Sequence, residues 1–309
     1  SACLVGSEMC IRDRDHLDGK PTLTNLFTEF WKPLIAEIKK VNPKINIVAE
    51  QADWNDYGFD YFEKATVDRM FGFGLKQAIL SFDKQQLFQN ADILLTNTPK
   101  GKDQLLFIEN HDLDRFASLE PNFKKQKVAA ALMLLIGGIP SIYYGQEIGM
   151  QGKANSYSNT DGNDIGRREA FDWYQSGEGK GMAFWYKNTG DWWTNKNQKS
   201  NDGISLEEQM KEPNSLFNFY KKIISIKQSN IALAKGRYEN VQNNADSVFS
   251  FYRKEGNNTI LVAVNLSDSI QEFVYSDFKN STIDILNPKQ QLQKTNVMQP
   301  FQISIWKIE

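Results

Sequence analysis

Six polar side chains follow a short apolar run near the middle of the chain. The apolar run is Leu105–Ile108, and the polar residues after it are Glu109, Asn110, His111, Asp112, Asp114 and Arg115. A run of this length is typical of a strand that is buried on both faces. Carboxylates, an amide and an imidazole just past a buried strand are costly to remove from water unless they serve a cleft. At the carboxyl ends of parallel barrel strands, such groups carry catalysis.

Two further segments have the same form. Ile45–Glu50 and Ile139–Glu147 both begin as apolar runs and both end in a carboxylate. Three strands that end in acids or amides predict one wet pocket rimmed by carboxylates. An acid just after a strand can instead serve only as the N-cap or first turn of the next helix. That alternative is weaker for Asn110-His111-Asp112, where amide, imidazole and acid occur together.

The elements that must position these side chains alternate between helices and strands. Apolar spacing predicts helices over Leu26–Val41, Leu75–Leu87, Lys124–Ile136 and Asn214–Gln228. Short apolar runs predict strands at Ile45–Ala49, Met70–Phe73, Leu105–Ile108 and Ile139–Tyr144. This alternation indicates an α/β fold with a parallel sheet.

Two later regions have a different character. Residues 148–213 are rich in Gly, Asn, Asp, Ser and Trp without a sustained period, which predicts a long loop over the pocket. Beyond about Gly236 the pattern predicts short strands at Ser247–Arg253, Thr259–Leu266, Glu272–Tyr275, Thr282–Ile285 and Gln302–Ile308. We therefore expect a first domain over residues 15–232 and a small all-β domain over residues 233–309.

The composition is that of a globular chain and excludes several classes of partner. Its 309 residues are 40% hydrophobic and 24% charged, which suits one large domain and a small one. The formal net charge is −2 and there is no basic run, so neither nucleic acid nor an anionic membrane is an expected partner. No segment approaches the ~18 consecutive apolar residues of a membrane helix.

The first fourteen residues do not fit the rest of the chain. They hold both cysteines, Cys3 and Cys10, and lack the basic start and sustained apolar centre of a signal peptide. We expect residues 1–14 to be a non-native leader, and the alternative is a disordered native one. If the segment is foreign, no cysteine remains from which to infer a redox compartment, and localisation is not readable.

Together these segments resemble the α-amylase family of glycoside hydrolases (family 13). The resemblance to the family's strand-five, strand-seven and strand-eight motifs lies in Ile47–Glu50, Phe107–Asp112 and Gly138–Glu147. Arg168–Trp173 is similar to the family's Arg-x-Pro-x-x-Trp segment, with Ala170 in place of proline. The resemblance runs from about residue 26 to the C-terminus. It implies an α/β fold: a partial (β/α)8 barrel with strands five to eight, followed by a C-terminal β-sandwich.

The resemblance also implies roles for the strand-end residues. Glu50 would be the general acid and base, which works physically if a dry aromatic wall raises its pKa. Asp112 would be the family's third carboxylate, which accepts hydrogen bonds from sugar hydroxyls and stabilises an oxocarbenium-like transition state. The implied substrate-binding residues are His111, Asn110, Trp54 and Arg115. Of these, Asn110 and Arg115 would hold the loop and Asp112. The implied substrate is an α-glucan or maltooligosaccharide.

The family's nucleophile has no counterpart in this sequence. A retaining glycosidase needs a carboxylate opposite the acid. The family places it in Gly-Phe-Arg-x-Asp-x-x-x-His on strand four, a string absent from the 309 residues. Arg12 stands four residues before His16, where that carboxylate should be. We therefore expect a C-terminal portion that lacks strands one to four and is inactive alone. Four βα units cannot close a barrel, so we also expect low stability, aggregation and a reduced urea m-value.

Other interpretations stay open. The chain could be a non-catalytic homologue that binds sugar or a protein, or a different (β/α)8 enzyme with similar strand ends. Hydrolases and transglycosylases share these motifs, so the sequence does not separate them. Asp161-Gly-Asn-Asp164 is rich in the oxygen ligands that calcium prefers. An acidic turn without metal is the favoured interpretation, so we expect neither a metal ion nor another cofactor.

Overall fold

The computed structural model describes residues 25–50, 57–157, 161–185, 188–190 and 196–308. The expected leader at residues 1–14 lies outside this part of the chain. The segment Arg12–His16 and the predicted sugar-binding residue Trp54 lie outside it as well.

Eight α-helices occur in the described part of the chain, all before residue 236. They are α1 (Lys32–Val41), α2 (Phe73–Ser81), α3 (Lys84–Ala91), α4 (Phe116–Leu119), α5 (Phe123–Leu135), α6 (Leu206–Lys211), α7 (Leu216–Ser229) and α8 (Ile231–Lys235). Shorter helical turns lie at Phe27–Trp31, Tyr61–Ala65, Asp92–Thr96, Gln146–Ile148 and Asp161–Arg167. The helices predicted over residues 124–136 and 214–228 are confirmed as α5 and α7. The one predicted over residues 26–41 is confirmed as a π-helical turn that continues into α1.

The helix predicted over Leu75–Leu87 is wrong, because the segment forms two helices. Phe82 has a φ of 54°, in the left-handed region, and this ends α2. Asp83 then begins α3 as its N-cap, its side chain accepting a hydrogen bond from the backbone N–H of Gln86 at 2.8 Å. Both helices turn apolar side chains toward the core, so the apolar spacing alone does not reveal the break.

Four parallel strands form the first sheet and confirm the α/β class. They are β1 (Val48–Ala49), β2 (Arg69–Phe71), β3 (Asp103–Leu106) and β4 (Ile139–Pro140), and they are neighbours in chain order. Met70 pairs with Gln104, and Leu105 pairs with Ile139. The strands predicted at 45–49 and 139–144 are longer than the parts that pair. Because the strands are parallel, their carboxyl ends meet at one edge of the sheet.

Helix α5 lies at the centre of the main core. Its residues from Val128 to Leu135 are fully buried or nearly so, which is why this stretch reads as apolar on all sides. It packs against α7, and the same core continues through Phe249, Phe251 and Ile305 of the C-terminal region. The C-terminal region therefore stabilises the helical layer behind the parallel sheet.

The C-terminal region consists of two antiparallel sheets. Its strands are β5 (Arg237–Asn240), β6 (Val248–Glu255), β7 (Asn258–Asn265), β8 (Gln271–Val274), β9 (Thr295–Met298) and β10 (Ile303–Ile308). The larger sheet has the order β10-β7-β6-β5, and β8 pairs with β9. The sequence did not predict β5 or β9. The predicted strand at Thr282–Ile285 is wrong, since it contributes only isolated bridges at Ile283 and Asp284.

Two buried cations tie the C-terminal sheet to the helices. The Arg253 side chain, 3% exposed, donates to the backbone carbonyls of Leu135 at 2.7 Å and of Gly236. Lys84 at the start of α3 donates to the backbone carbonyl of Ala245 at 2.5 Å. Each charge is compensated by carbonyl oxygens of the other layer, so the two layers are joined by specific bonds as well as by apolar contact.

Within the described residues, no helix has the length and apolar content needed to cross a membrane.

Candidate active site

Glu50 follows directly on β1 and is half-buried. Burial raises the pKa of its carboxyl above the ordinary value, the negative charge of Asp112 raises it further, and His111 lowers it. Charges influence one another in this way only at short range in a partly buried site. The ends of β1 and β3 therefore bring together the two carboxylates that the sequence predicted to be partners.

His111 and Asp112 lie side by side in the turn after β3. The Nε2 atom of His111 is 3.3 Å from Oδ1 of Asp112, and about half of each side chain is exposed. Asn110 sets this turn, because its Oδ1 accepts a hydrogen bond from the backbone N–H of Asp112 at 3.1 Å. An imidazole and a carboxylate that are held together but open to solvent are placed to meet a ligand.

Two consecutive arginines from the long loop fix this turn from the other side. Arg168 donates to the backbone carbonyl of His111 at 2.9 Å and to Oδ1 of Asp112 at 3.1 Å. Arg167 donates to the backbone carbonyl of Asp112 at 2.6 Å and to Oδ1 of Asp114 at 3.0 Å. Residues 167 and 168, which belong to the segment predicted as a long loop over the pocket, thus contact the turn after β3. Neither arginine was predicted as a site residue.

Arg115 requires a correction. It was predicted as a substrate-binding residue that holds Asp112, but only 1% of it is exposed and it pairs with the equally buried Glu109 at 3.1 Å. Its Nε also donates to the backbone carbonyl of Arg167 at 3.0 Å, and its guanidinium lies 4.3 Å from the ring centre of Tyr143. Arg115 thus lies beneath the surface and binds the backbone of the long loop, while Arg168 is the residue that contacts Asp112.

Glu109 and Glu147 lie in the same buried layer as Arg115. Burial raises the pKa of Glu109 to about 7, an effect that the Arg115 charge opposes and the Glu147 charge reinforces. Burial also raises the pKa of Glu147, while backbone hydrogen bonds and Arg115 lower it. The Glu147 carboxylate, at the end of the third predicted strand segment, is therefore buried beneath the exposed carboxylates of the site, where its charge interacts with that of Arg115.

The two tyrosines after β4 join the long loop to the strand ends. The Tyr144 hydroxyl donates to the backbone carbonyl of Glu169 at 2.8 Å, and the Tyr143 hydroxyl donates to that of Arg167 at 3.4 Å. Burial raises the pKa of Tyr143. Both rings cover the Arg115 guanidinium, so their placement explains how the long loop is held in register with the turn after β3.

Two arginine side chains form ion pairs with an acid of the oxygen-rich turn at residues 161–164. The carboxylate of Asp164 pairs with Arg167 at 3.1 Å and with Arg168 at 3.3 Å. Two guanidinium groups already compensate this carboxylate, so it does not suit a metal ion. Within the described residues, no group of three or more His, Cys, Asp or Glu side chains is placed to hold a metal ion.

A parallel sheet with carboxylates at its strand ends, followed by antiparallel sheets, defines an α/β protein with a candidate site at those strand ends. The chain belongs to the α-amylase family, since the family's α-amylase catalytic domain matches residues 19–236.

Relatives of this chain are longer proteins. α-Amylase 3 of Dictyoglomus thermophilum is 26% identical over 292 residues, which is 91% of this chain and 54% of the relative. Glucan 1,6-α-glucosidase of Streptococcus pneumoniae is 30% identical over 220 residues, covering 61% of this chain and 40% of the relative. The crystal structure of an α-amylase from H. orenii superposes with a TM-score of 0.69 at 22% identity, over 90% of this chain and 56% of that one. The chain thus spans about half the length of these proteins.

Proposed function

We propose that this chain carries the acid–base half of an active site that hydrolyses or transfers α-glucosidic bonds with retention of configuration. The observation that supports this most is the raised pKa of Glu50 beside the charges of Asp112 and His111. A carboxyl group whose pKa is raised keeps its proton to a higher pH than a free glutamic acid does, which suits a group that must give a proton to a leaving glycosidic oxygen. Glu50 is therefore the residue that we assign as general acid and base.

Asp112 and His111 are assigned to the sugar that undergoes the reaction. Their shared exposure leaves both side chains able to receive hydroxyl groups, and Arg168 holds the Asp112 carboxylate in place. A fixed carboxylate stabilises the positive charge that develops on the sugar ring in an oxocarbenium-like transition state. Asn110 acts through the backbone of the turn, which makes it a positioning residue.

The proposed substrate is an α-glucan or a maltooligosaccharide. The names of the two relatives support an α-glucosidic bond, one being an α-amylase and the other a glucan 1,6-α-glucosidase. These names differ in linkage, and the motifs serve transfer as well as hydrolysis. Product analysis with and without an acceptor sugar separates hydrolase from transglycosylase.

We propose that the 309 residues bind such sugars without turning them over. No Gly-Phe-Arg-x-Asp string is present to supply the nucleophile that a retaining mechanism needs. Turnover of an aryl α-glucoside that is lost in Glu50→Gln would disprove this part of the proposal. If the reading frame upstream encodes Gly-Phe-Arg-x-Asp, the enzyme assignment stands. A frame without it favours a non-catalytic sugar-binding homologue.

Binding of a maltooligosaccharide, measured by isothermal titration calorimetry, tests the assignment directly. We expect Asp112→Asn to weaken the affinity at least tenfold. Asp103→Asn is the matched control, because Asp103 lies at the amino end of the same strand and its side chain is similarly exposed. Equal affinities in the two variants, or no binding by the unaltered chain, would contradict the proposal.

A further inference from the structure

A second cavity lies behind the long loop, where the loop meets the start of α5. Its volume is about 330 Å³. Side chains that line it include Phe123, Gln126, Met150, Asp172, Gln198 and Asp202. None of these residues belongs to the candidate active site, so the inference drawn from them does not rest on the proposed function.

Three residues that line the cavity carry buried oxygens without donors among the described residues. Asp172 is 0% exposed, and neither of its carboxylate oxygens accepts a hydrogen bond within the described part of the protein. Gln126 and Gln198 are also buried, and the Oε1 atom of each lacks a donor among the described residues. Their amide nitrogens are used: Gln126 donates to the carbonyl of Glu120 at 2.8 Å, and Gln198 donates to that of Ala170. These bonds fix the amide orientations, so a flip would not relieve the oxygens.

The charges around Asp172 are mostly negative. The pKa of Asp172 is raised to about 7, first by burial and then by the charges of Asp202, Glu208 and Glu169, while Lys196 opposes them. Lys199 also lines the cavity. A buried carboxylate without donors is costly unless it is protonated or faces a positive charge. Three residues that line one cavity thus carry four acceptor oxygens without donors among the described residues, and the acids around them exceed the cations, a combination that suits a bound cation.

We propose that this cavity binds a hard divalent cation, for which Ca²⁺ is the natural probe. Asp172 would supply the buried charged ligand, Gln126 and Gln198 would supply neutral carbonyl oxygens, and Asp202 would complete the site at its exposed mouth. Calcium accepts carboxylate, amide and water oxygens in flexible geometry. The bound ion would tie both limbs of the long loop, at residues 172 and 198–202, to the start of α5.

The site is tested on the whole chain, freed of metal with EDTA and then dialysed. Titration calorimetry with CaCl₂ is expected to show one Ca²⁺ per chain, and added Ca²⁺ is expected to raise the melting temperature. Asp172→Asn keeps the side-chain volume and is expected to weaken Ca²⁺ binding at least tenfold. Asp202→Asn, at an exposed position, is expected to weaken it at least threefold.

The matched control is Asp268→Asn, which removes one exposed acid in the turn between β7 and β8. It is expected to leave Ca²⁺ affinity unchanged. The proposal is overturned if the unaltered chain binds no Ca²⁺ at millimolar concentrations, or if Asp172→Asn binds it as tightly as the unaltered chain. No sugar is present in these measurements, so their failure would leave the proposed function untouched.

Discussion

Arg168 donates to the carboxylate of Asp112 at 3.1 Å and to the backbone carbonyl of the preceding residue, His111, at 2.9 Å. One guanidinium thus fixes both the charge and the backbone of the turn that follows β3. The contact joins two segments that are 56 residues apart in the chain. The long loop therefore contributes a side chain to the candidate active site.

Replacing Arg168 is expected to weaken sugar binding more than it weakens the fold. Arg168→Ala removes both bonds to the turn, so we expect at least a tenfold loss of maltooligosaccharide affinity. The pair is about a third to a half exposed, so the loss of unfolding free energy should stay below about 1 kcal/mol. Calorimetry and urea unfolding measure the two effects. Arg237→Ala is the control, because Arg237 is an exposed arginine of the C-terminal sheet. A variant of Arg168 that binds like this control would show that the contact has no role in binding.

The pKa of Glu50 should respond in opposite directions to two substitutions. Because the Asp112 charge raises this pKa and His111 lowers it, Asp112→Asn should lower it and His111→Gln should raise it. Burial remains in both variants and keeps the pKa above the ordinary value of a glutamic acid. Titration of the labelled Glu50 carboxyl by ¹³C NMR measures both shifts. Shifts of the same sign, or none, would show that the three side chains do not share one site.

The strand ends were predictable because they combine two local signals. A run of four or five apolar residues reports a buried strand, and the abrupt change to acids and amides reports its carboxyl end. Glu50, His111 and Asp112 were predicted as site residues in this way. The family resemblance then supplied their pairing, which neither periodicity nor spacing contains.

Other features depend on contacts between segments that are distant in the chain. Arg168 was visible only as part of an Arg-x-x-x-x-Trp segment, and nothing local links it to Asp112. Arg115 looked like a site residue because it is charged and lies near the motif, yet tertiary packing buries it against Glu109. Asp172 lacks a hydrogen-bond donor among the described residues, and this too depends on which residues surround it in the fold. Strand β9 is missed because it is only four residues long and buries Asn296 while exposing Val297, so its polarity does not follow its burial.

Breaking the buried pair of Arg115 and Glu109 should destabilise the fold. Arg115→Met leaves the Glu109 carboxylate buried without its cation, which typically costs about 3–5 kcal/mol. The double variant Glu109→Gln with Arg115→Met removes both charges and should recover much of that loss. Arg69→Met is the control, since Arg69 pairs loosely with Asp103 at 3.8 Å and should cost less than about 1 kcal/mol. Urea unfolding gives all four values. If the double variant is as unstable as Arg115→Met, the buried charge is not the cause.

Asp172 should make stability depend on pH when no metal is present. Its pKa is raised from 3.8 to about 7 in the folded chain, so the folded state binds its proton more tightly than the unfolded state does. The stabilisation is complete below about pH 4 and is lost as the pH rises through 7. Asp172→Asn does not titrate, so its unfolding free energy relative to the unaltered chain should increase by about 2 kcal/mol from pH 5 to pH 8 in EDTA. Glu109 titrates in both proteins and cancels in this difference. An unchanged difference across that range would show that Asp172 is not a buried acid.

Gly138, which begins the strand-eight motif, should tolerate no side chain. Its φ is +55°, and a Cβ atom there would lie 2.6 Å from the backbone carbonyl oxygen of Gln104 in β3. Relief of this contact requires β3 to move, and β3 leads into the turn with His111 and Asp112.

The control is Gly101, which has a φ of +83° and where an added Cβ atom would meet nothing within 4 Å. Its substitution therefore measures the cost of the left-handed backbone alone. We expect Gly101→Ala to cost about 1–2 kcal/mol. Gly138→Ala should cost at least about 1 kcal/mol more than that and should also weaken maltooligosaccharide binding. Urea unfolding and calorimetry on both variants measure this, and equal costs would mean that β3 and β4 do not approach as closely as the structure has them.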